Sequence, residues 1–148
     1  FPIPPRRVVY TKAGRNLTAA GVSDSRAVID HKLYWAEVNS AAEGRYLCAI
    51  LNSPVTRDLV EPLQSRGLFG PRDFDMYVWY LPIPAFDPRD TTHQMLADLG
   101  WRAEQVAATV TLPDRTGFQK ARKLVRQALD EAGLNTKIDG IVRELLVA

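Results

Sequence analysis

Apolar and polar positions change their period along this chain, and the change predicts strands first and helices later. Segments rich in β-branched and aromatic side chains are typical of strands, and they occur at residues 6–11, from near Leu17, at residues 26–30 and at residues 32–38. Alternate side chains of a strand lie on opposite faces. In the last segment, one face is therefore predicted to carry Leu33, Trp35 and Glu37, and the other Tyr34, Ala36 and Val38. We expect one of these faces to pack on a core.

After Asn39 the apolar residues recur at intervals of three and four, which predicts helices. Ser40 is placed to cap the first helix, with Glu43 as its reciprocal partner three residues later. Pro54 ends this helix and is tolerated at the first position of a second one, because proline lacks an amide donor. The second helix gives way to a loop at residues 65–73.

Residues 77–90 read YVWYLPIPAFDPRD. The segment 75–81 is almost entirely apolar, which predicts a strand buried on both faces or against a partner element. The prolines that follow stop its hydrogen-bonding ladder. Asp87 or Asp90 is expected to cap a long helix. Its inward stripe is predicted to be Leu96, Leu99, Ala103, Val106 and Val110. We expect the role of YVWYLPIPAFDPRD to be architectural.

Two further helices complete the chain. One covers about residues 116–132 and stops at Gly133, and the last starts near Asn135. The first of them is predicted to turn inward Phe118, Ala121, Val125, Ala128 and Ala132. The second carries an apolar stripe of Ile138, Ile141, Val142 and Leu145.

This order of elements predicts an α+β fold, with a small β-rich unit and a helix pair followed by a helical C-terminal tail. We predict a domain at residues 1–86 and a tail of one long and two further helices at residues 87–148. A chain of 148 residues with 46% hydrophobic content is long enough for one ordinary core.

Charge is spread unevenly although the net charge is only +2. Residues 1–32 hold six basic and two acidic side chains, whereas residues 33–110 hold six basic and ten acidic ones. The densest basic run is KARKLVR at residues 120–126. A basic N-terminal region is suited to phosphate contacts, although a solvated charged surface has the same composition.

Composition also indicates a compartment. The apolar runs are too short to span a bilayer and the start lacks the apolar centre of a signal peptide, so we expect a soluble, cytoplasmic protein without a membrane partner. The single cysteine, Cys48, cannot form an internal disulfide. The sequence begins with Phe1 and not with Met, as a fragment of a longer protein or a processed chain would, and we expect a fragment.

Side chains suited to catalysis are sparse. His31 and His93 are far apart without metal-like neighbours, so we expect surface or capping roles and no metal site. Cys48 has apolar neighbours, which favours a buried structural thiol over a nucleophile. The serine-hydrolase, phosphate-loop and dinucleotide motifs are absent from the sequence.

Two alternatives for a site receive less support. Asp30 and Glu37 could bind the metal ion of a nuclease only if both carboxylates lay on the same face of a strand. A separation of seven residues along a strand places them on opposite faces. Aromatic side chains can stack on an exposed base, although aromatics in strands more often belong to a core. The aromatics concerned are Tyr10, Tyr34, Trp35, Tyr77, Trp79 and Tyr80.

Four phrases then occur in a characteristic order: IDHKLYWAEV, EGRYLCAILNSPV, GLFGPRDF and LPIPAFDP. Together they resemble the target-recognition region of adenine-N6 DNA methyltransferases of restriction-modification systems. The match is to the TaqI-like C-terminal specificity domain and, more distantly, to one half of a type I specificity subunit. It centres on residues 33–35, 46–53 and 81–84, and spans about residues 6–110, while IDGIVRELL at 138–146 is similar to the end of such enzymes.

The resemblance implies a domain that recognises double-stranded DNA for a linked methyltransferase or nuclease. The family's Asn-Pro-Pro-Tyr motif and its glycine-rich S-adenosylmethionine loop are absent, so we expect no catalytic residue and no cofactor in this chain, with S-adenosylmethionine only in a linked domain. Phosphates are expected to meet Arg6, Arg7, Lys12 and Arg15. Base edges are expected to meet the loops around Asn16, Arg26, Arg66 and Arg72.

An alternative stays open, in which the same fold is a protein-interaction or scaffold domain that does not bind DNA. In that case apolar helix faces such as the one with Leu145 would dock on another subunit. The sequence does not decide the DNA target, the oligomeric state or whether the tail pairs within or between chains.

Overall fold

The structure is a computed structural model that describes residues 2–64, 66, 67, 70, 71, 74 and 76–147, with the backbone alone for residues 66, 67, 70 and 71. The strands are β1 (Arg7–Thr11), β2 (Ala19–Val22), β3 (Leu33–Glu37), β4 (Arg66–Gly67) and β5 (Gly70–Pro71). The helices are α1 (Ala41–Asn52), α2 (Pro54–Val60), α3 (Thr91–Thr109), α4 (Phe118–Glu131) and α5 (Leu134–Val147). Short 3₁₀ turns lie at Glu61–Leu63 and Tyr77–Tyr80. The predicted α+β class is confirmed.

The main sheet is antiparallel with the order β2-β1-β3. Val8 and Tyr10 of the central strand are 0% and 3% exposed and point into the core. Their partners Ala36 and Tyr34 on β3 share that face, as the alternation predicts, while Trp35 lies on the outer face and is 46% exposed. One side of the sheet therefore packs on the helices, and the other side is more open.

Helix α1 begins as predicted. The Ser40 side chain accepts the Glu43 N–H at 3.0 Å, and the Glu43 carboxylate accepts the Asn39 N–H at 2.6 Å, so both side chains satisfy amides at the helix start. The predicted break at Pro54 is also confirmed, because Ser53 caps α2 and Pro54 is its first residue.

Helix α1 lies between two apolar clusters. On one side Tyr46, Ala49 and Ile50 pack with residues of α3 and α5. On the other side Cys48 and Leu51 pack with the sheet residues Val8 and Tyr10. The first cluster draws on both sides of the predicted boundary at residue 86, since it also contains Leu96 and Ile138.

Two residues at the end of α1 form hydrogen bonds to β2 and to α5. Asn52 accepts the Ala19 N–H at 2.9 Å and donates to the Ala19 carbonyl at 2.8 Å, which holds β2. The Ser53 hydroxyl donates to Asp139 of α5 at 2.9 Å. Burial raises the pKa of Asp139, and the hydrogen bond from Ser53 partly offsets this effect. The adjacent pair Asn52 and Ser53 thus joins the sheet, α1 and the tail.

Two predicted strands are wrong. Residues 26–30 form a turn and an irregular segment instead, because the loop folds back over Arg7. Residues 77–80 form a 3₁₀ turn, while position 75 lies outside the described residues. Phe74 and Val78 are both 0% exposed while Met76 between them is 62% exposed, so these three residues do not share one face as they would in a strand.

The proline segment packs on α1 as the link to α3. The Tyr46 hydroxyl donates to the Pro84 carbonyl at 2.9 Å, and burial, with Asp90 nearby, raises the pKa of Tyr46 to about 12. Asp90 caps α3, and the buried His93 accepts the Asp87 N–H at Nδ1, 3.0 Å away. The expected surface position of His93 is wrong, since the residue is 5% exposed and its ring lies tilted against Tyr46 with centroids 4.8 Å apart.

The tail agrees only in part with its predicted inward stripes. Leu96 and Leu99 of α3 and Ile138 and Val142 of α5 are buried as expected. In α4, however, Phe118 is 65% exposed and Ala132, just beyond the helix, is also exposed, so these two predicted core positions are wrong. Gly133 follows with φ of 71°, which confirms the predicted stop.

Helix α4 packs against α3 and α5. None of its described residues is fully buried, so its apolar side is only half covered.

Among the described helices, none combines the length and apolarity needed to cross a membrane.

Close contact between α1 and α3 depends on Gly100. A Cβ atom at this position would lie 2.5 Å from the Arg45 carbonyl oxygen, which is backbone and cannot move aside cheaply. We expect Gly100→Ala to lower the free energy of unfolding by about 1–3 kcal/mol, as overpacking does, measured by urea unfolding.

The matched control is Gly140→Ala in α5, where a Cβ atom would meet no atom within 4 Å. Since alanine favours helices, this variant is expected to be about 1 kcal/mol more stable than the wild type. Equal stability of the two variants would contradict the close helix contact.

Candidate nucleic-acid interface

The turn between β1 and β2 carries the first group of candidate residues. Gly14 adopts φ of 123°, a conformation that glycine permits, and the chain reverses there. Thr11 stabilises the base of the turn, since its hydroxyl donates to the Asn16 carbonyl at 3.3 Å and accepts the Thr18 N–H at 3.2 Å. The turn therefore presents Lys12 and Arg15 from a hydrogen-bonded base.

The structure places the predicted DNA contacts in different environments. Arg6, Arg15 and Arg26 are exposed, whereas Lys12 and Asn16 are half-buried. The Lys12 ammonium lies 5.2 Å from the ring centroid of Tyr34, a cation–π contact. The Arg66 side chain and Arg72 lie outside the described residues.

Arg7 does not fit the expectation of an exposed phosphate contact. It is 3% exposed, and its Nη2 donates to the carbonyls of Asp24 and Ala27 at 2.9 and 2.8 Å. The guanidinium carbon also lies 5.9 Å from the ring centroid of Trp35. These contacts compensate in part for burial of the charge, since the buried Nε has no hydrogen-bond partner among the described residues. They fix the loop between β2 and β3, which favours a structural role for Arg7 over a phosphate contact.

Arg26 is exposed but already has an acidic partner. Its Nε and Nη2 donate to the two oxygens of Asp24 at 3.1 and 3.2 Å. The side-chain hydrogen bond from Arg26 is the largest of the causes that lower the pKa of Asp24, followed by the backbone hydrogen bond from the same residue. A phosphate or a base would have to compete with this carboxylate, so Arg26 is a weaker candidate than Arg15.

Helix α4 meets the base of the turn. The Arg126 Nη2 lies 3.5 Å from the Thr18 hydroxyl, although the two residues are 108 positions apart. A shallow depression of about 450 Å³ lies beside Arg126. It is lined by Gln119, Lys123, Arg126, Gln127 and Asp130. Arg126 of the tail therefore reaches the end of the turn that carries Lys12 and Arg15.

We call this region the basic turn–helix surface and define it as Lys12, Arg15, Lys123 and Arg126. The predicted site lacks the two residues from α4. The sequence signal for these two residues is the high density of basic side chains in KARKLVR. Only the fold shows that this run reaches Thr18. Arg122 of the same run covers the Phe118 ring, with its guanidinium carbon 4.1 Å from the ring centroid. Its pKa is lowered, first by burial and then by Arg126.

Three of the aromatic residues form a group beside the sheet. Tyr10 and Tyr34 have ring centroids 5.6 Å apart, and Trp79 packs edge-on to Tyr10 at 5.8 Å. The Trp79 indole donates to the Tyr10 hydroxyl at 3.1 Å. Trp79 and Tyr80 are nevertheless 36% and 70% exposed, so the expectation of a buried aromatic strand is wrong for these two residues.

Other chemistry receives little support from the described residues. Within them, no three His, Cys, Asp or Glu side chains are grouped as metal ligands would be. Asp30 lies in the loop before β3, whereas Glu37 ends that strand. Cys48 is buried as expected, and burial, with Glu104 nearby, raises the pKa of its thiol to about 12. The thiol therefore stays protonated near neutral pH.

Replacing Arg7 with alanine is expected to loosen the loop at residues 23–32 without unfolding the sheet, since it removes two hydrogen bonds from a charged donor. We expect trypsin to cut after Arg26 about tenfold faster, with the first cuts identified by mass spectrometry. The exposed neighbour provides the control, because Arg6→Ala should leave this rate unchanged. Equal rates in the two variants would contradict the structural role of Arg7.

Comparison of the chain with protein-family models, with curated proteins and with solved structures found no match. A functional interpretation therefore depends on the residues of this chain and on their arrangement.

Proposed function

We propose that this chain is a DNA sequence-recognition domain of a restriction-modification protein of the adenine-N6 methyltransferase type, and that it is not catalytic by itself. The observation that carries the proposal is the 3.5 Å approach of Arg126, in the tail, to Thr18, at the end of the turn that carries Lys12 and Arg15. The ordered phrases of the sequence supply the link to restriction-modification enzymes.

The physical basis is the attraction between cations and DNA phosphates. Lysine and arginine side chains that neutralise phosphates release counterions, and this release supplies most of the sequence-independent affinity. Arg15 is exposed at the tip of the turn, and Lys123 is exposed on α4. Neither side chain has a carboxylate partner among the ion pairs of the described residues. Both are therefore available to a phosphate.

Base recognition would add to this attraction. In the proposal, Asn16 lies at the turn that enters a groove, since asparagine suits adenine. Methylation or cleavage of the DNA would be catalysed by a linked methyltransferase or nuclease domain. S-adenosylmethionine would bind to the linked methyltransferase domain. The same proposal places the protein in the cytoplasm, where restriction-modification enzymes act on DNA.

A second candidate function is an interaction with another protein chain. The observation that favours it is the half-covered apolar side of α4, where Phe118 is 65% exposed. If this face is an interface, analytical ultracentrifugation should find a dimer that Phe118→Asp converts to a monomer. A wild-type monomer at all concentrations would contradict a self-associating version.

The DNA-binding proposal predicts a specific dependence on salt. The triple variant Lys12→Ala, Arg15→Ala, Arg126→Ala should bind duplex DNA more weakly on every sequence tested, because phosphates lack sequence information. We expect the slope of log affinity against log salt to be less negative by about 3 than in the wild type, measured by fluorescence anisotropy.

Arg89→Ala is the control for this experiment. Arg89 is an exposed arginine whose Nε and Nη2 bind the Asp87 carboxylate at 3.1 and 3.2 Å, so its charge is already neutralised. Its replacement should leave the slope unchanged. Absence of wild-type binding at low salt, or equal slopes for the triple variant and the wild type, would contradict the proposal.

A further inference from the structure

The 3₁₀ turn Tyr77–Tyr80 and the residue before it expose three large side chains. Tyr80 is 70% exposed, Met76 is 62% exposed and Trp79 is 36% exposed. We call these three residues the aromatic ridge. A folded protein seldom places large apolar side chains in water together without a use for them.

The ridge is held by a buried support. Val78, between two ridge residues in sequence, is 0% exposed, and so is Phe74. The Trp79 indole is fixed by its hydrogen bond to Tyr10, and the Tyr80 ring packs edge-on against Tyr77 with centroids 5.9 Å apart. The exposed rings are therefore pre-oriented, which lowers the entropic cost of binding a ligand.

The ridge also adjoins the basic turn–helix surface. The Phe74 N–H donates to the Lys12 carbonyl at 2.8 Å, which ties the segment before the ridge to the first cation of the turn. The rings of Trp79, Tyr10 and Tyr34 follow one another at centroid distances of 5.8 and 5.6 Å. The Lys12 ammonium lies over the last of these rings.

This arrangement favours a nucleobase over a protein as the occupant. Proteins that bind unpaired strands combine cations for the backbone with aromatic rings on which bases stack. A stable protein interface uses about 20–30 residues on each side, and the ridge offers only three exposed side chains. One or two base planes match that size.

We propose that the aromatic ridge stacks on a base that has left the helical stack of the bound DNA, with Tyr80 as the main contact. This inference rests on the proposed function, because the basic turn–helix surface must first bring the DNA to the ridge. It adds a preference for duplexes in which a base is unpaired or easily displaced.

The experiment compares two duplexes of equal length and charge, one fully paired and one with a single bulged 2-aminopurine. Anisotropy of an end label gives both affinities for the 148-residue chain. The wild type is expected to bind the bulged duplex about tenfold more tightly and to quench 2-aminopurine fluorescence by stacking.

Variants at the ridge separate stacking from other effects. Tyr80→Ala should remove the preference and the quenching while leaving affinity for the paired duplex unchanged. Tyr80→Phe keeps the ring and should keep both effects, and Met76→Ala provides a second variant that should weaken the preference.

The outcomes distinguish the two proposals. Equal wild-type affinity for the paired and bulged duplexes would overturn the stacking role and leave DNA binding in place. Absence of binding to either duplex would overturn both proposals. If the wild type is an oligomer in ultracentrifugation and Tyr80→Ala dissociates it, the ridge is a contact between protein chains and the stacking proposal is wrong.

Discussion

Burial of α1 on two opposite sides is the constraint on which the rest of the structure depends. One side packs on the sheet through Cys48 and Leu51, and the other on the helical tail through Tyr46 and Ile50. Four such side chains removed from water are worth several kcal/mol, at roughly 1.5–3 kcal/mol for each large apolar side chain. Neither the sheet nor the tail can move away without exposing one side of this helix.

The proposed DNA surface is a consequence of that packing. Asn52, at the end of α1, holds Ala19 in β2, and Ser53 holds Asp139 in α5. These contacts hold β2 and the tail against α1, and α4 packs against α3 and α5 with Arg126 reaching Thr18. A cation of the tail thus reaches a turn 108 residues earlier in the sequence, in a fold held by polar contacts at one helix end.

Local signals predicted much of the fold from the sequence. The Ser40 cap, the break at Pro54 and the stop at Gly133 depend on backbone chemistry within a few residues, and all three are confirmed. Apolar content alone misled at residues 77–80, because a buried strand and a 3₁₀ turn with exposed rings have the same composition. Charge alone misled at Arg7, whose two carbonyl partners lie 17 and 20 residues away and cannot be predicted from its neighbours.

The central claim is that duplex DNA meets the turn at residues 12–18 and the helix at residues 120–127 together. Amide chemical-shift mapping of the labelled protein during titration with a short duplex tests it most directly. The account predicts that the largest shifts occur in both segments and saturate at the same DNA concentration. Shifts confined to other surfaces, such as the depression between α1 and α3 beside Arg45 and Trp101, would contradict it.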